Sequence, residues 1–292
     1  MKKSFDFSVD ALGVLARADA RRALAEDVGE GDLTSGLIDP ACQAGAQVVA
    51  REAAVLCGSA WVEATVRQLD PRARLVWRVL DGQRCHAGQV VFEVHGQAQA
   101  LLTAERTALN FLQLLSGVAT KTATYVEQVR GTRAVIVDTR KTVPGLRLAQ
   151  KYAVVTGGGT NHRVGLYDAV LIKENHIAAA GGIAQVLARA AEVAARADFV
   201  EIEVETLDEL AQALDAGARM VLLDNMSLIE LKEAVRINRG RAILEISGGV
   251  TLDGLRALAD TGVDRISIGT LTKDVKAVDF SMRFGAVSAV PA

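Results

Sequence analysis

The chain has little of what marks several protein classes. It holds three cysteines, Cys42, Cys57 and Cys85, an odd number with no CxxC spacing. A disulfide framework is therefore not expected, and the three read as structural thiols in a reducing cytosol. The four histidines, His86, His95, His162 and His176, form no HxxxH or Cys/His cluster, so no zinc site is signalled. Neither charge is in real excess: the formal net charge is −2. That balance argues against a dedicated nucleic-acid binder, though it allows a local basic pocket. No apolar run approaches a membrane span. The start, MKKSFDFSVDAL, has two lysines but no apolar stretch or small-residue cleavage site after them. No signal peptide is expected, and the cytoplasm is the expected compartment. No GxGxxG or GxxxxGK[ST] falls where a dinucleotide or P-loop site would need it, and no repeat of 20–50 residues is evident.

What is present is an ordinary globular composition, 50% hydrophobic and 23% charged over 292 residues. That length suits one large or two moderate domains. Residues 10–26 read as an amphipathic helix with Ala11, Leu12, Val14, Leu15, Ala18 and Ala23 as its apolar positions. The acidic stretch 26–35 fits no calcium loop and reads as a solvated turn in which Asp32 or Thr34 caps a neighbour. Residues 45–98 hold short β-type runs around a helix at 59–69, a small α+β unit. Residues 99–129 are strongly helical, with Leu101, Leu102, Ala108, Leu109, Leu112 and Leu115 as a stripe and Ser116-Gly117 as an expected break. By pattern alone Glu105-Arg106 is a solvated helical charge pair.

From residue 133 strand and helix alternate. Strand-like runs fall at 134–137, 169–173, 199–204, 219–223, 242–246 and 264–268, with helical runs at 145–155, 181–196, 207–216, 227–237 and 252–260. This alternation implies an α/β fold with a parallel sheet, and six strands rather than eight imply an incomplete barrel.

Every one of these runs ends in polar or glycine chemistry: Asp138-Thr139-Arg140-Lys141, Lys173-Glu174-Asn175-His176, Glu203-Val204-Glu205, Asp224-Asn225, Ser247-Gly248-Gly249 and Gly269-Thr270. Strand ends on one face form the mouth where α/β folds bind ligands. Five positive or potentially positive groups, Arg140, Lys141, His162, Arg163 and Lys173, converge there and predict a ligand with several negative charges. Alternation places Glu201, Glu203 and Glu205 on one face of a central strand, where carboxylates need cations, metal or ligand hydroxyls to offset desolvation. The glycine turns after the last two strands resemble a phosphate cradle. A phosphorylated sugar and a small polyanion are the implied substrates, with Glu203 and Asp224 suited to sugar hydroxyls or Mg²⁺.

These residues, in this order, resemble the quinolinate phosphoribosyltransferase family over nearly the whole chain. The resemblance rests on Glu105–Phe111 with Leu115–Ala119, Asp138–Thr142 with Pro144-Gly145, and Lys151-Tyr152-Ala153. It continues through Gly157–Gly159, Asn161–Arg163, Leu171–His176, Glu203–Glu205, Leu223–Asn225 and Ser247-Gly248. It implies an N-terminal α+β open-faced sandwich, residues 1–117, and an incomplete six-stranded α/β barrel, residues 118–274, with 275–292 returning to the first domain. It implies phosphoribosyl transfer from phosphoribosyl pyrophosphate to quinolinate with loss of CO₂, giving nicotinate mononucleotide for NAD synthesis. It also implies a homodimer in which Arg106 enters the neighbouring subunit's site, reversing the pattern-based reading of that residue.

By the same resemblance, Arg106, Thr139, Arg140, His162, Arg163 and Lys173 surround quinolinate. Phosphoribosyl pyrophosphate is expected on Lys141, Glu203, Asp224, Ser247, Gly248, Gly249, Ile268, Gly269, Thr270 and Lys273, with Mg²⁺ at Glu203 and Asp224, directly or through water. Lys141, Lys173, Glu203 and Asp224 are the catalytic candidates. One departure stands out: the family generally has a histidine shortly after the phosphate glycine, and here the run is Leu271-Thr272-Lys273-Asp274. Rival readings are a relative with another acceptor, such as a nicotinate or molybdenum-transport-associated enzyme, or a Schiff-base aldolase using Lys173.

Overall fold

The structure, a computed structural model, describes residues 6–285. The chain opens with α1 (Val9–Val28), β1 (Gln43–Ala50), β2 (Ala54–Val55), α2 (Ser59–Leu69), β3 (Arg74–Trp77), β4 (Arg84–Cys85) and β5 (Val90–Gln97). Helix α3 (Ala98–Gln128) follows, then β6 (Val135–Val137), α4 (Arg147–Thr156), β7 (Val170–Ile172), α5 (Glu174–Ala180) and α6 (Ile183–Val193). The remainder is β8 (Val200–Val204), α7 (Leu207–Asp215), β9 (Met220–Asp224), α8 (Leu228–Asn238), β10 (Ile243–Ser247), α9 (Leu252–Ala259), β11 (Arg265–Ser267), α10 (Thr270–Lys273) and β12 (Phe280–Phe284). Among the described residues no single helix is long and apolar enough to cross a membrane.

Two compact units result. One comprises residues 6–121, 143–158 and 274–285; the other comprises 122–142 and 159–273. The first carries a four-stranded antiparallel sheet in the order β12-β1-β5-β3. Its core gathers Val48, Phe92 and Val94 from the strands with Leu101, Leu109 and Leu112 from α3. Strand β12 pairs with β1, Met282 opposite Val48, so the C-terminal stretch completes this sheet. Asp32 accepts hydrogen bonds from the Thr34 and Ser35 backbone N–H groups and from the Thr103 hydroxyl. It thereby caps the short turn at Ser35–Leu37. Those bonds hold its carboxyl down at about 2.

Three local expectations change here. The buried face of α1 is Ala16, Asp19, Ala20 and Leu24, while Val14 is 61% exposed and Ala18 is also exposed. An alanine-rich helix has no unique apolar stripe. This one is set by Asp19, whose carboxylate accepts from Trp61 Nε1 at 2.9 Å and pairs with Arg22. On α3, Leu102 is exposed, although the rest of its predicted stripe is buried. Nor does α3 break at Ser116-Gly117. Ser116 hydrogen-bonds both backbone groups of Cys57, and a Cβ on Gly117 would sit 2.4 Å from the Lys276 carbonyl oxygen. The small pair admits two neighbouring backbones, so its function is close approach.

Residues 143–158 group with the sandwich unit, whereas the sequence reading put them in the barrel stretch 118–274. Tyr152 of α4 accounts for much of this. Its ring lies 5.7 Å from Trp61 and its hydroxyl donates to Asp81 at 2.9 Å.

The second unit is built on six parallel strands in the order β6-β11-β10-β9-β8-β7. Each is followed by a helical segment, except that the chain leaves this unit after β6 and re-enters it before β7. β8, the strand of alternating glutamates, is central, between β7 and β9. The sheet has open margins at β6 and β7, the signature of an incomplete barrel. Thr160 makes a single parallel bridge to Val137 along the free margin of β6.

Candidate active site

All predicted site residues except Arg106 lie in the parallel-sheet unit. Asp138, at the end of β6, is completely buried and organises the tetrad 160–163. Its Oδ1 accepts from the His162 N–H at 2.8 Å and its Oδ2 from Asn161 Nδ2 at 2.7 Å. Main-chain bonds Thr160 N–H to Ile136 O and Asp138 N–H to Thr160 O complete the attachment. Thus the polar ending of one strand anchors the segment carrying His162 and Arg163.

Thr139 and Arg140 are half-buried and Lys141 is exposed. The Thr139 hydroxyl accepts from the Lys141 N–H at 3.1 Å, and the Thr272 hydroxyl donates to the Lys141 carbonyl at 2.7 Å. A Cβ on Gly269 would stand 2.8 Å from Lys141 Cδ and 3.5 Å from Thr139 Oγ1. The first cationic ending and the last glycine turn are therefore one piece of surface, Lys141 lying against Gly269.

Arg140 and Arg163 face each other electrostatically. Burial, followed by the Arg140 charge, pushes the Arg163 guanidinium below its usual value, and Asp168 and Glu201 oppose that shift. Asp168 also fixes the loop beyond Arg163 by accepting from the Val164 and Gly165 N–H groups. The two guanidiniums are near enough for one charge to disfavour the other, an arrangement that favours a ligand with more than one carboxylate.

Lys173 pairs with Glu203 through its ammonium. His176 spends Nδ1 on the Lys173 N–H, 2.9 Å away, at the start of α5. The sequence reading carried no helix there. Glu203 and Asp224 are half-buried at the ends of adjacent strands, and Asp224 Oδ2 accepts from Asn225 Nδ2 at 2.8 Å. Glu205 is exposed, and its carboxyl is raised, first by hydrogen bonding and charge from Glu174, then by Glu209 and Asp224. This is a concentration of carboxylate oxygens, hard donors of the kind Mg²⁺ prefers.

The third glutamate of the row, Glu201, is completely buried and belongs to a polar layer under the mouth. Its Oε2 lies 2.8 Å from His162 Nε2. Glu245 of β10 places Oε1 3.5 Å from the same nitrogen and receives Arg265 Nε of β11 on Oε2 at 2.7 Å. The His162 tautomer follows from its other nitrogen. Nδ1 lies 2.8 Å from the Arg163 N–H, which can only donate, so Nδ1 is the acceptor and Nε2 bears the hydrogen. That tautomer turns N–H, not a lone pair, toward the glutamates. The triad His162, Glu201 and Glu245, close enough to suggest a metal cage, is thus a hydrogen-bonded cluster instead. Burial raises both glutamates to about 7, against the pull of Arg265 on each. Glu245 and Arg265 escaped the sequence reading. Their signal is a charge in the middle of an otherwise apolar buried strand.

At the glycine turns, Gly248 has φ +98° and a Cβ there would meet Asn225 Oδ1 at 2.2 Å. Asn225 itself has φ 54°. Gly249 has φ +54° with open space where a side chain would be. The Ser247 carbonyl accepts from the Asn225 N–H at 3.2 Å, so the ends of β9 and β10 are knitted together. Ile268 is buried and its N–H is taken by the Val137 carbonyl, which leaves it a structural support for the turn at Gly269-Thr270. Lys273 is exposed at the end of α10. The carboxylate of Asp274, next in sequence, pairs with Lys121 at 3.4 Å. Arg106 is exposed on α3, and its guanidinium makes no hydrogen bond or ion pair among the described residues.

An incomplete parallel α/β barrel with paired arginines, clustered carboxylates and glycine turns at its strand ends defines an enzyme that handles polyanionic, phosphorylated substrates. Comparison with known proteins sharpens this class. Residues 32–116 match the family model for the quinolinate phosphoribosyl transferase N-terminal domain, and residues 118–283 match its C-terminal domain. The chain belongs to the quinolinate phosphoribosyltransferase family. It is 42% identical over 259 residues to the probable nicotinate-nucleotide pyrophosphorylase (carboxylating) of Bacillus subtilis strain 168, covering 88% of this chain and 89% of that protein. With the nicotinate-nucleotide pyrophosphorylase (carboxylating) of Mycobacterium leprae it shares 43% over 277 residues, 91% of this chain and 96% of the relative. The solved nicotinate-nucleotide pyrophosphorylase of Francisella tularensis matches with TM-score 0.90 and 44% identity, over 94% of this chain and 97% of that one.

Proposed function

We propose that this protein transfers the phosphoribosyl group of phosphoribosyl pyrophosphate to quinolinate. The reaction releases pyrophosphate and CO₂ and yields nicotinate mononucleotide for NAD synthesis. The observation that carries the reading is the neighbouring pair Arg140 and Arg163, beside Lys141 at the Gly269 turn, in a chain of this family. The arginine pair suits two carboxylates, and the lysine and glycine turn suit a phosphate.

In this scheme Arg140, Arg163 and Lys173 hold the quinolinate carboxylates, with Thr139 beside them and His162 bracing Arg163 from beneath. The pyridine nitrogen attacks C1 of the ribose as pyrophosphate departs. Lys141 and the Gly248, Gly249, Gly269 and Thr270 turns receive the phosphates, with Ser247 and Ile268 shaping those turns and Lys273 at their rim. Glu203 and Asp224 orient the ribose and offset the positive charge that develops on it. Once the ring nitrogen is quaternary, the adjacent carboxylate leaves as CO₂, the electron pair left on the ring carbon is stabilised by the neighbouring positive nitrogen, and that carbon takes a proton from water to give nicotinate mononucleotide. The arginine grip on that carboxylate must loosen for this step, because a cation stabilises carboxylate and not CO₂. The carboxylate oxygens of Glu203 and Asp224 fit Mg²⁺, which when bound neutralises charge on the pyrophosphate group.

Arg106 completes the acceptor site of a second copy in a homodimer, a role its exposed and unengaged guanidinium supports. The working compartment is the cytoplasm. The aldolase reading loses support because Lys173 is exposed and faces a carboxylate, Glu203, whereas a Schiff-base lysine is enclosed in an apolar pocket or set beside another cation. The deciding assay is CO₂ release from carboxyl-labelled quinolinate. Release that requires phosphoribosyl pyrophosphate and Mg²⁺ supports the proposal. Absence of release, with phosphoribosyl pyrophosphate still raising Tm, would transfer the activity to another acceptor such as nicotinate.

A further inference from the structure

The polar layer beneath the mouth is costly. Glu201 and Glu245 are fully buried, Arg265 is 8% exposed, and Glu201 Oε1, Glu245 Oε1 and Arg265 Nη2 have no hydrogen-bond partner among the described residues. Apolar residues fill comparable inner positions elsewhere in this sheet, such as Leu222, which is paired with both Glu203 and Glu245. A structure that tolerates these charges is using them. Their bonds lead to one place: Arg265 holds Glu245, Glu201 and Glu245 flank the His162 Nε2–H, and Nδ1 of the same ring receives the backbone N–H of Arg163. Phe199 closes the remaining side, its ring edge-on to the imidazole at 5.2 Å. Both ring nitrogens of His162 are engaged inside the protein, so the ring has no hydrogen left to offer a ligand.

We propose that Glu201, Glu245 and Arg265 are positioning residues for the acceptor site: they lock His162 in its Nε2–H tautomer, and His162 in turn fixes the backbone of Arg163 so that its guanidinium stands beside Arg140. This rests on the reading of the mouth as a dicarboxylate site. It assigns His162 an indirect part in recognition, as a strut under Arg163. The physical reason for carboxyl groups is orientation. Ionised, a carboxyl only accepts, and protonated it still keeps an accepting oxygen for the N–H facing it, with the second carboxyl beside the same nitrogen. The partner nitrogen is then obliged to accept, and a backbone N–H docks there without competition.

The test combines spectroscopy with kinetics on the intact chain. Nitrogen-15 NMR of histidine-labelled protein, with the His162 signals identified by their loss in H162N, is expected to show the neutral Nε2–H form in the wild type and its loss in E201L. In the kinetic arm E201L raises KM for quinolinate about tenfold, the worth of one buried hydrogen bond, and leaves KM for phosphoribosyl pyrophosphate within about twofold. E201Q, whose amide oxygen still accepts from Nε2, recovers part of that loss. H162N, whose Oδ1 replaces Nδ1 as acceptor for Arg163, loses less than H162Q. An imidazolium or Nδ1–H form in the wild type would overturn the proposal, as would equal rises in both KM values in E201L and E201Q. If the wild type releases no CO₂ from quinolinate, the functional reading fails on its own, and the tautomer measurement still decides the lock.

Discussion

Lys141 lies in the space that a side chain on Gly269 would take, its Cδ 2.8 Å from where that Cβ would be. Two segments 128 positions apart in sequence thus make one piece of surface, and the absent side chain leaves the room that Lys141 takes. The atom in the way belongs to a flexible side chain, so Gly269→Ala should fold normally and displace Lys141. The expected consequence is a rise of roughly three- to tenfold in KM for phosphoribosyl pyrophosphate, the scale of one weakened charge-assisted hydrogen bond. Steady-state kinetics with quinolinate saturating would check it. An unchanged KM would detach Lys141 from the phosphate site.

Gly117 presents the opposite case, because the obstruction is backbone. A Cβ there would meet the Lys276 carbonyl at 2.4 Å and its carbon at 3.2 Å. Gly117→Ala must move the returning chain before β12 and should destabilise the protein by about 1–3 kcal/mol, the usual range for overpacking. The higher helix propensity of alanine offsets only about 1 kcal/mol at most. Urea unfolding gives the measurement, and a stabilised variant would mean that the residue is a tolerated helix glycine after all.

These two glycines mark where sequence reading succeeds and where it stops. The strand ends were legible because an apolar run that terminates in Asp-Thr-Arg-Lys or Ser-Gly-Gly announces both the element and where it stops. The central position of β8 was legible for the same reason, since strands flank it on both sides. Gly117 was misread as a break because a helical glycine looks alike whether it weakens the helix or admits a neighbour. The face of α1 was lost in its alanines, and only the pairing of Asp19 with Trp61 selects it. Glu245 and Arg265 were passed over because each reads as an ordinary charged residue until the register sets them side by side, Glu245 opposite Arg265.

The proposed acceptor clamp makes the largest kinetic prediction. Arg140→Ala should lower kcat/KM for quinolinate by the equivalent of about 2–4 kcal/mol, the scale on which a charge-assisted bidentate interaction stabilises the transition state. Arg140→Lys keeps the charge but not the planar fork, and should recover only part of it. Near-normal turnover of Arg140→Ala would remove Arg140 from the clamp.

Arg106 gives a test of shared sites. Arg106→Ala and Glu203→Ala proteins should each be nearly inactive alone. If Arg106 acts in the partner's site, mixing and reassembling them in equal amounts makes half the dimers hybrid, and each hybrid carries one intact site of two, so about a quarter of wild-type activity returns. If Arg106 serves its own subunit, every site in every dimer stays defective and no activity returns.

The buried glutamates predict an unusual pH dependence of stability. The Glu245 carboxyl is raised from 4.5 to about 7, by burial first and by Glu201 second. A carboxyl with a raised folded value holds a proton that the unfolded chain has already released. Between about 4.5 and about 7 the folded state therefore binds more protons, and by linkage its stability falls as pH rises through that window. Above the folded value both states are ionised and the contribution is lost. Below the unfolded value both are protonated and it is fully present. Glu201, raised in the same direction and also by burial first, adds to the slope. Glu245→Gln cannot ionise, so its unfolding free energy should be flatter across the window while Glu201 keeps part of the trend. Urea unfolding at several pH values, for the wild type and the variant side by side, measures both slopes. Identical slopes would mean that Glu245 is ionised throughout, with Arg265 outweighing its burial.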